Sequence, residues 1–384
     1  MKLKQRLCAA AVLTSIALAA PGLRALVSLE DGKDRGYVDA TVDLGYDSNV
    51  FANAQSGGSF VYEGTVLAEL ARRAGWIGVN VTAGFDFARY ANFRDQDYVD
   101  PRFSAEFTKQ TGRTTGSFTV NILRQDRADI DVNTRDTAWI YSTALDFQYP
   151  VIERYSISGS LGYTRTDYED RTLFVNQQMY TGNLYLYYVL NEQRDLFIDA
   201  RSRYTRESNG EYDIDRALSA GVSGRVYGPF NGSLQVGYQV RNPYHSLDSG
   251  TFNDFTASGS ATWNMNRKMT LTAEVSRDYS NTAQALTVDA TRGGLTFQDS
   301  LTAKASVTLQ AAAGENRFLG VEGLTAGDGV RRVDTFVSFG AAYFYTINQH
   351  LKVALLYDYY RNWSTLAYAE FPRDQVTLEL KSHW

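Results

Sequence analysis

Hydrolytic and metal chemistry leans on histidine, cysteine and activated serine, and this chain holds little of them. Only three histidines occur in 384 residues: His245, His350 and His383. There is no HExxH pair, which would set two imidazoles on one helical face for zinc, and no GxSxG elbow. The single cysteine, Cys8, stands at the start of an apolar run expected to be removed as a signal, so thiol and disulfide chemistry are not expected of the mature chain. One trio resembles an active centre: His245, Ser246 and Asp248 in NPYHSLDSG, placed where a hydrolase could work from an exposed loop. A solvated loop histidine is the plainer reading. The chain is therefore expected not to be an enzyme, and no cofactor or metal is expected.

The richer chemistry is charge set on every second residue. One alternating set carries Glu63, Glu69, Asp86, Glu106, Asp199, Glu274 and Asp358, with Arg102, Arg201, Arg203, Arg225, Arg241, Lys304 and Lys352; Asp39, Asp43, Asp146, Asp215, Asp334 and Glu379 follow the same parity. Tyr185 and Tyr187 share it. Such a set either pairs across strands to order a wall or lines a hydrated, mildly cation-tolerant passage whose aromatic faces stack on sugar rings.

Only extended strands place side chains with a period of two, so strands must carry this pattern. In Tyr37 to Asp47, Val38, Ala40, Val42, Leu44 and Tyr46 alternate with polar or small residues, three of them acids. Trp139, Tyr141, Thr143, Leu145, Phe147 and Tyr149 form another unbroken row, aromatic at both ends. Repeated end to end, the pattern gives about 18 strands, with 16 as the smaller count it allows. About eight short turns follow even-numbered strands and longer polar loops follow odd-numbered ones. Two places read irregularly. Gly293 and Gly294 interrupt the alternation of Val288 to Phe297, and Gly314 to Gly329 reads as a glycine-rich loop after a strand over Leu301 to Ala313.

Composition agrees with a wall that is apolar on one side. Mean hydropathy is −0.32 while aromatics reach 13%, and no stretch after residue 25 is apolar enough for a membrane-spanning helix. Alternation averages lipid-facing and lumen-facing residues, while tyrosine and tryptophan gather at the two interfaces. Lys2, Lys4 and Arg6, followed by the apolar run Leu7 to Ala20, predict a signal peptide over residues 1–25, cut after Ala19, Ala20 or Ala25. With the last of these, 34 basic and 43 acidic residues remain, a net charge of −9. Nucleic acid is not an expected partner.

The expected fold is all-β: a transmembrane antiparallel up-and-down barrel over residues 35–384, in the outer membrane of a Gram-negative bacterium. Its last stretch, RDQVTLELKSHW, sets Val376, Leu378 and Leu380 on one face and ends on the aromatic Trp384. That is the signal the barrel-assembly machinery reads, and such a strand closes on the first. Lipid and lipopolysaccharide are the surrounding partners.

The segment TVDLGYDSNVF, Thr41 to Phe51, together with the closing strand, resembles bacterial outer-membrane proteins of the beta-barrel porin 2 type. The resemblance implies a conduit for exopolysaccharide, with a glycan in the lumen, working beside a periplasmic polysaccharide export protein. It carries no catalytic residues. A general or solute-specific diffusion porin is the alternative, and an outer-membrane hydrolase the third reading.

Overall fold

The computed structural model describes residues 27–29, 34–245, 250–320 and 331–384. The expected signal segment, Ser246, Asp248 and most of the glycine-rich stretch lie outside them. Strands form wherever the period-two pattern runs: β1 (Asp34–Asp47), β2 (Ser59–Ala74), β3 (Ile77–Tyr90), β4 (Tyr98–Lys109), β5 (Thr115–Asp129), β6 (Thr134–Ile152), β7 (Tyr155–Tyr168), β8 (Gln177–Asn191) and β9 (Arg194–Glu207). The second half follows with β10 (Tyr212–Tyr227), β11 (Phe230–Tyr244), β12 (Phe252–Asn264), β13 (Met269–Asn281), β14 (Thr287–Asp299), β15 (Ala305–Phe318), β16 (Val333–Thr346), β17 (Leu351–Ser364) and β18 (Phe371–His383).

Each strand pairs antiparallel with its sequence neighbours, and β18 pairs with β1, with Leu380 opposite Val42 and Leu378 opposite Leu44. The sheet is thereby a closed 18-strand up-and-down barrel, and closure satisfies the backbone groups that an open edge would leave in lipid. Trp384 extends the seam, donating its amide to the Val38 carbonyl at 3.0 Å and accepting the Val38 amide at 2.9 Å, while its ring stacks on His350 at 4.4 Å. Just past that seam Val27–Leu29 pairs with the start of β1.

The outer parity is the apolar one, as the exposure of Val42 at 51% and Leu145 at 42% shows. Short turns close one end and longer connections the other, so the former is periplasmic and the latter extracellular. Gly75, at φ +63°, permits the tight β2–β3 turn; Gly224, at φ +91°, sits where a Cβ would meet the Gln193 carbonyl at 2.3 Å, just before the bulge between Arg225 and Tyr227.

The strand read over Val288 to Phe297 is present as β14, and one other strand boundary differs from the sequence reading. Gly293 and Gly294 do not interrupt β14: they pair with Val275 and Glu274 on one side and Ala313 and Ala312 on the other. Glycine hides the alternation, since it has no side chain to show a face, yet its backbone pairs normally. The strand placed at Leu301 to Ala313 runs instead over Ala305–Phe318, because Thr302 binds its hydroxyl oxygen to the Lys304 and Ala305 amides and makes a turn there.

Candidate functional site

Side chains of strands far apart in the wall meet only inside the barrel, so such contacts identify the interior face. Arg201 on β9 grips Asp278 on β13 with two nitrogens, at 2.9 and 2.7 Å. Arg203 reaches Asp215 at 2.6 Å, Asp278 at 3.3 Å and the Tyr279 carbonyl at 2.7 Å. Arg241, 1% exposed, binds Asp213 at 2.6 Å and also Asn281, which donates to Glu207 at 2.8 Å. This cluster exists because β13 leaves β12 at Arg277, where their ladder ends, while β14 stays with it up to Thr287. The freed top of the β13–β14 hairpin leans inward over β10 to β12. There its polar groups need partners, since unpaired buried charges are costly.

A second hairpin crosses the lumen. The β4–β5 ladder stops at Leu123 and the β6–β7 ladder at Ala138, yet β5 and β6 remain paired up to Asp129 and Thr134. Residues 124–137 thus form a two-stranded arm with no lateral partner in the wall. Its base is clamped by Arg124, which binds Asp100 at 2.6 Å and Glu169 at 2.8 Å; the Asp100 carboxylate also accepts the Asp126 amide at 2.7 Å in place of a ladder carbonyl. Hydrogen bonding from Arg124 holds the Glu169 carboxyl below its usual range. The tip turns at Asn133, at φ +55°, a conformation asparagine tolerates.

That tip docks on the far wall. Arg332, 5% exposed, donates to the Asp131 carbonyl at 2.7 Å, the Ile130 carbonyl at 3.4 Å and Asn133 Oδ1 at 3.0 Å, and is held by Asp334 at 2.6 Å. Asn316 on β15, diametrically opposite β6, donates to Asp131 at 3.2 Å. From the side, the loop 48–58 joins in: Asn133 donates to the Ala52 carbonyl at 3.1 Å and Arg135 to that of Val50 at 3.3 Å. The loop 169–176 reaches 282–286 through Val175 and Ala283, at 2.9 Å, and Ala138, Tyr168, Phe174 and Ala283 bury one another there. The extracellular half of the lumen is thereby crossed by chain. The periplasmic turns are too short to do the same at the other end.

The residues singled out from sequence fall into several environments. Glu63 lies beside Asp43 and Asp43 beside Glu379, three acids in one row across β2, β1 and β18. Glu69 accepts from Asn80 at 3.0 Å, and Asp86 from Thr65 at 2.7 Å with Arg102 3.3 Å away. Glu106 pairs in register with Asn80 and Thr119, Glu274 with Ser260 and Gly294, Asp358 with Gly340 and Gln375, and Lys352 with Lys381. Asp199, 3% exposed, sits opposite Tyr185. Tyr185, Tyr187 and Phe197 cluster at 5.2 to 6.0 Å. Arg201 and Arg203 do not extend this aromatic patch as a free ladder, since Asp278 of β13 engages both and Asp215 of β10 also holds Arg203. Arg225 lies at the periplasmic end of β10, paired in register with Asn231 and donating to Gln193 in the β8–β9 turn at 3.1 Å, and Lys304 lies in the β14–β15 turn. His245 packs against Tyr212, ring centroids 5.6 Å apart.

Sequence reasoning missed Asp278, Asn281, Arg332 and the tip Ile130 to Asn133. A signal existed for the last: RQDRADIDVNTRD, from Arg124 to Asp136, carries charge on both parities, which no lipid-facing strand tolerates.

Among solved structures the fold is similar to OpdK of Pseudomonas aeruginosa with vanillate, at TM-score 0.51 and 10% identity, covering 91% of this chain and 99% of that one. OccK2 (OpdF) of the same organism gives 0.51 and 9%, covering 91% and 97%. OpdO gives 0.50 and 11%, covering 92% and 97%. No protein-family model matches the chain, and no curated protein matches its sequence. At such identities the likeness is one of fold. That fold, an 18-strand barrel with an apolar outer wall, defines the chain as a porin-type β-barrel of the outer membrane of a Gram-negative bacterium.

Proposed function

We propose that the chain is a non-enzymatic, solute-selective diffusion porin for small polar molecules. One observation carries this reading: the arm of residues 124–137 spans the lumen and is bonded to Arg332 on the opposite side. An extended polymer needs an open bore, whereas a small solute needs only the gaps beside a fixed arm. The walls of those gaps are charged and amide groups held in place by their neighbours, which suits discrimination by hydrogen bonding and charge. Export of an exopolysaccharide with a periplasmic partner is the second reading. The interior cluster of Tyr185, Tyr187 and Phe197 favours it, and it requires the arm to leave the lumen.

Reconstituted liposomes decide between them. Swelling rates with sugars, amino acids and small aromatic carboxylates, vanillate included, should show strong preference among solutes of equal size and a sharp fall with size. Size-independent swelling with oligosaccharides, or loss of surface polysaccharide in a strain lacking the protein, would favour export.

A further inference from the structure

The outer wall carries a charged feature that a lipid-facing surface does not need. Arg206 on β9 and Arg216 on β10 lie on the outward parity, level in register with Tyr212 and Ser202 respectively. Both are exposed, and neither makes a hydrogen bond or ion pair among the described residues. The two guanidinium-bearing positions are separated along the strand direction by the four residues from Tyr212 to Arg216, about 13 Å. An unpaired arginine on this wall loses solvation, so it needs an anion at that depth.

The surface around them is shaped as well as charged. Tyr163, Tyr180, Tyr204, Tyr212 and Tyr244 run as a continuous row from β7 to β11, with successive rings 4.8 to 6.2 Å apart. Below this row, toward the membrane centre, two adjoining outer-wall grooves of ≈ 710 and ≈ 540 Å³ share Leu161, Gly182 and Ser202. Small side chains, Gly182, Ala200 and Ser202, make the floor, and Leu184 and Leu218 the ridges. Arg216 stands on the edge of the larger groove. The tyrosine row and Arg206 lie toward the extracellular ends of their strands, on the side of the outer leaflet's head groups, and Arg216 lies four residues nearer the membrane centre.

We propose that this face binds one phosphorylated, multiply acylated lipid of the outer leaflet, lipopolysaccharide, with acyl chains in the grooves and phosphates on Arg206 and Arg216. Charge complementarity selects this occupant. The outward rows of β8 to β11, from Gln178 to Tyr244, carry no carboxylate. A second copy of the chain docked by a two-fold axis would bring arginine to arginine, and the nearest outward carboxylate, Asp167 on β7, is already engaged by Arg165. Phosphate accepts several hydrogen bonds from each planar guanidinium, and the tyrosine row supplies an amphipathic shelf for the sugar ring plane.

The test uses the full barrel in neutral detergent, with lipid binding read by native mass spectrometry. The probes are lipid A with both phosphates, the same lipid dephosphorylated, and phosphatidylglycerol. Wild type should hold one bis-phosphorylated molecule in preference to either other probe. The double variant Arg206→Gln/Arg216→Gln should bind it at least about tenfold more weakly. Ala200→Leu, which fills the groove and leaves both charges, should weaken it too. Replacing unpaired outward arginines relieves a burial cost, so the double variant should fold, as heat-modifiable migration will show; Arg216→Ser alone is the second variant, expected to weaken binding by a lesser factor. Equal binding by wild type and double variant overturns the proposal. So does equal binding of phosphatidylglycerol, or a wild-type dimer that Ala200→Leu converts to monomer.

Discussion

Arg332→Ala tests whether the arm across the lumen sets the pore. The guanidinium makes three bonds to the arm, to Asp131, Ile130 and Asn133, and one carboxylate contact that fixes its own position, to Asp334. It also lies 4.1 Å from the Phe318 ring. Each charged hydrogen bond contributes about 1.5 kcal/mol or more, and removing one partner of a buried pair typically costs about 3–5 kcal/mol. The rest of the docking, chiefly Asn316 to Asp131 and Asn133 to Ala52, remains. The ladders that join the 18 strands into a closed barrel are untouched, so the loss falls on the arm and not on the barrel. A loss of about 3 kcal/mol raises the undocked population on the order of 100-fold. In planar bilayers the variant should show larger mean conductance and added open-channel noise, and in liposomes a higher size limit for sugars. Unchanged conductance and size limit, in a variant whose barrel is fully folded, would refute the reasoning.

Four further outcomes are expected. Arg203→Ala removes the partner that Asp215 and Asp278 share, so the top of β13 should loosen, raising sugar permeation and shortening hydrogen-exchange protection at Asp278 to Asn281. Val81→Arg, on the apolar parity, should cost about 2–4 kcal/mol in a reconstituted folding assay, while Thr82→Arg, which faces Glu69, is tolerated; equal damage would sink the strand assignment. Deleting Trp384 removes two seam hydrogen bonds and the stack on His350, and should lower the amount of heat-modifiable barrel in the outer membrane, which immunoblotting of membrane fractions reads. Because the Glu169 carboxyl is held below its ordinary 4.5, its contact with Arg124 contributes fully above that pH and is lost as pH falls through the lowered value; conductance should accordingly rise only on strong acidification, and Glu169→Gln should abolish that step.

The sequence alone determined the barrel, because each strand announces itself locally. Alternation in Tyr37 to Asp47 or Trp139 to Tyr149 is set by neighbours two residues apart, and it fixes parity whatever the rest of the chain does. Gly293 and Gly294 made the alternation of β14 look interrupted for the same reason: a missing side chain leaves no parity to see. The interior was decided only by tertiary structure. Whether Arg201 lines a passage or is spent on Asp278 depends on a residue 77 positions away, which comes within 2.7 Å only after β13 parts from β12. The arm of residues 124–137 is likewise β in sequence and in backbone, and only the ending of its ladders at Leu123 and Ala138 sends it inward. Local periodicity encodes which face a residue takes. Which residues meet across the lumen is set by barrel closure, and closure is a property of all 18 strands at once.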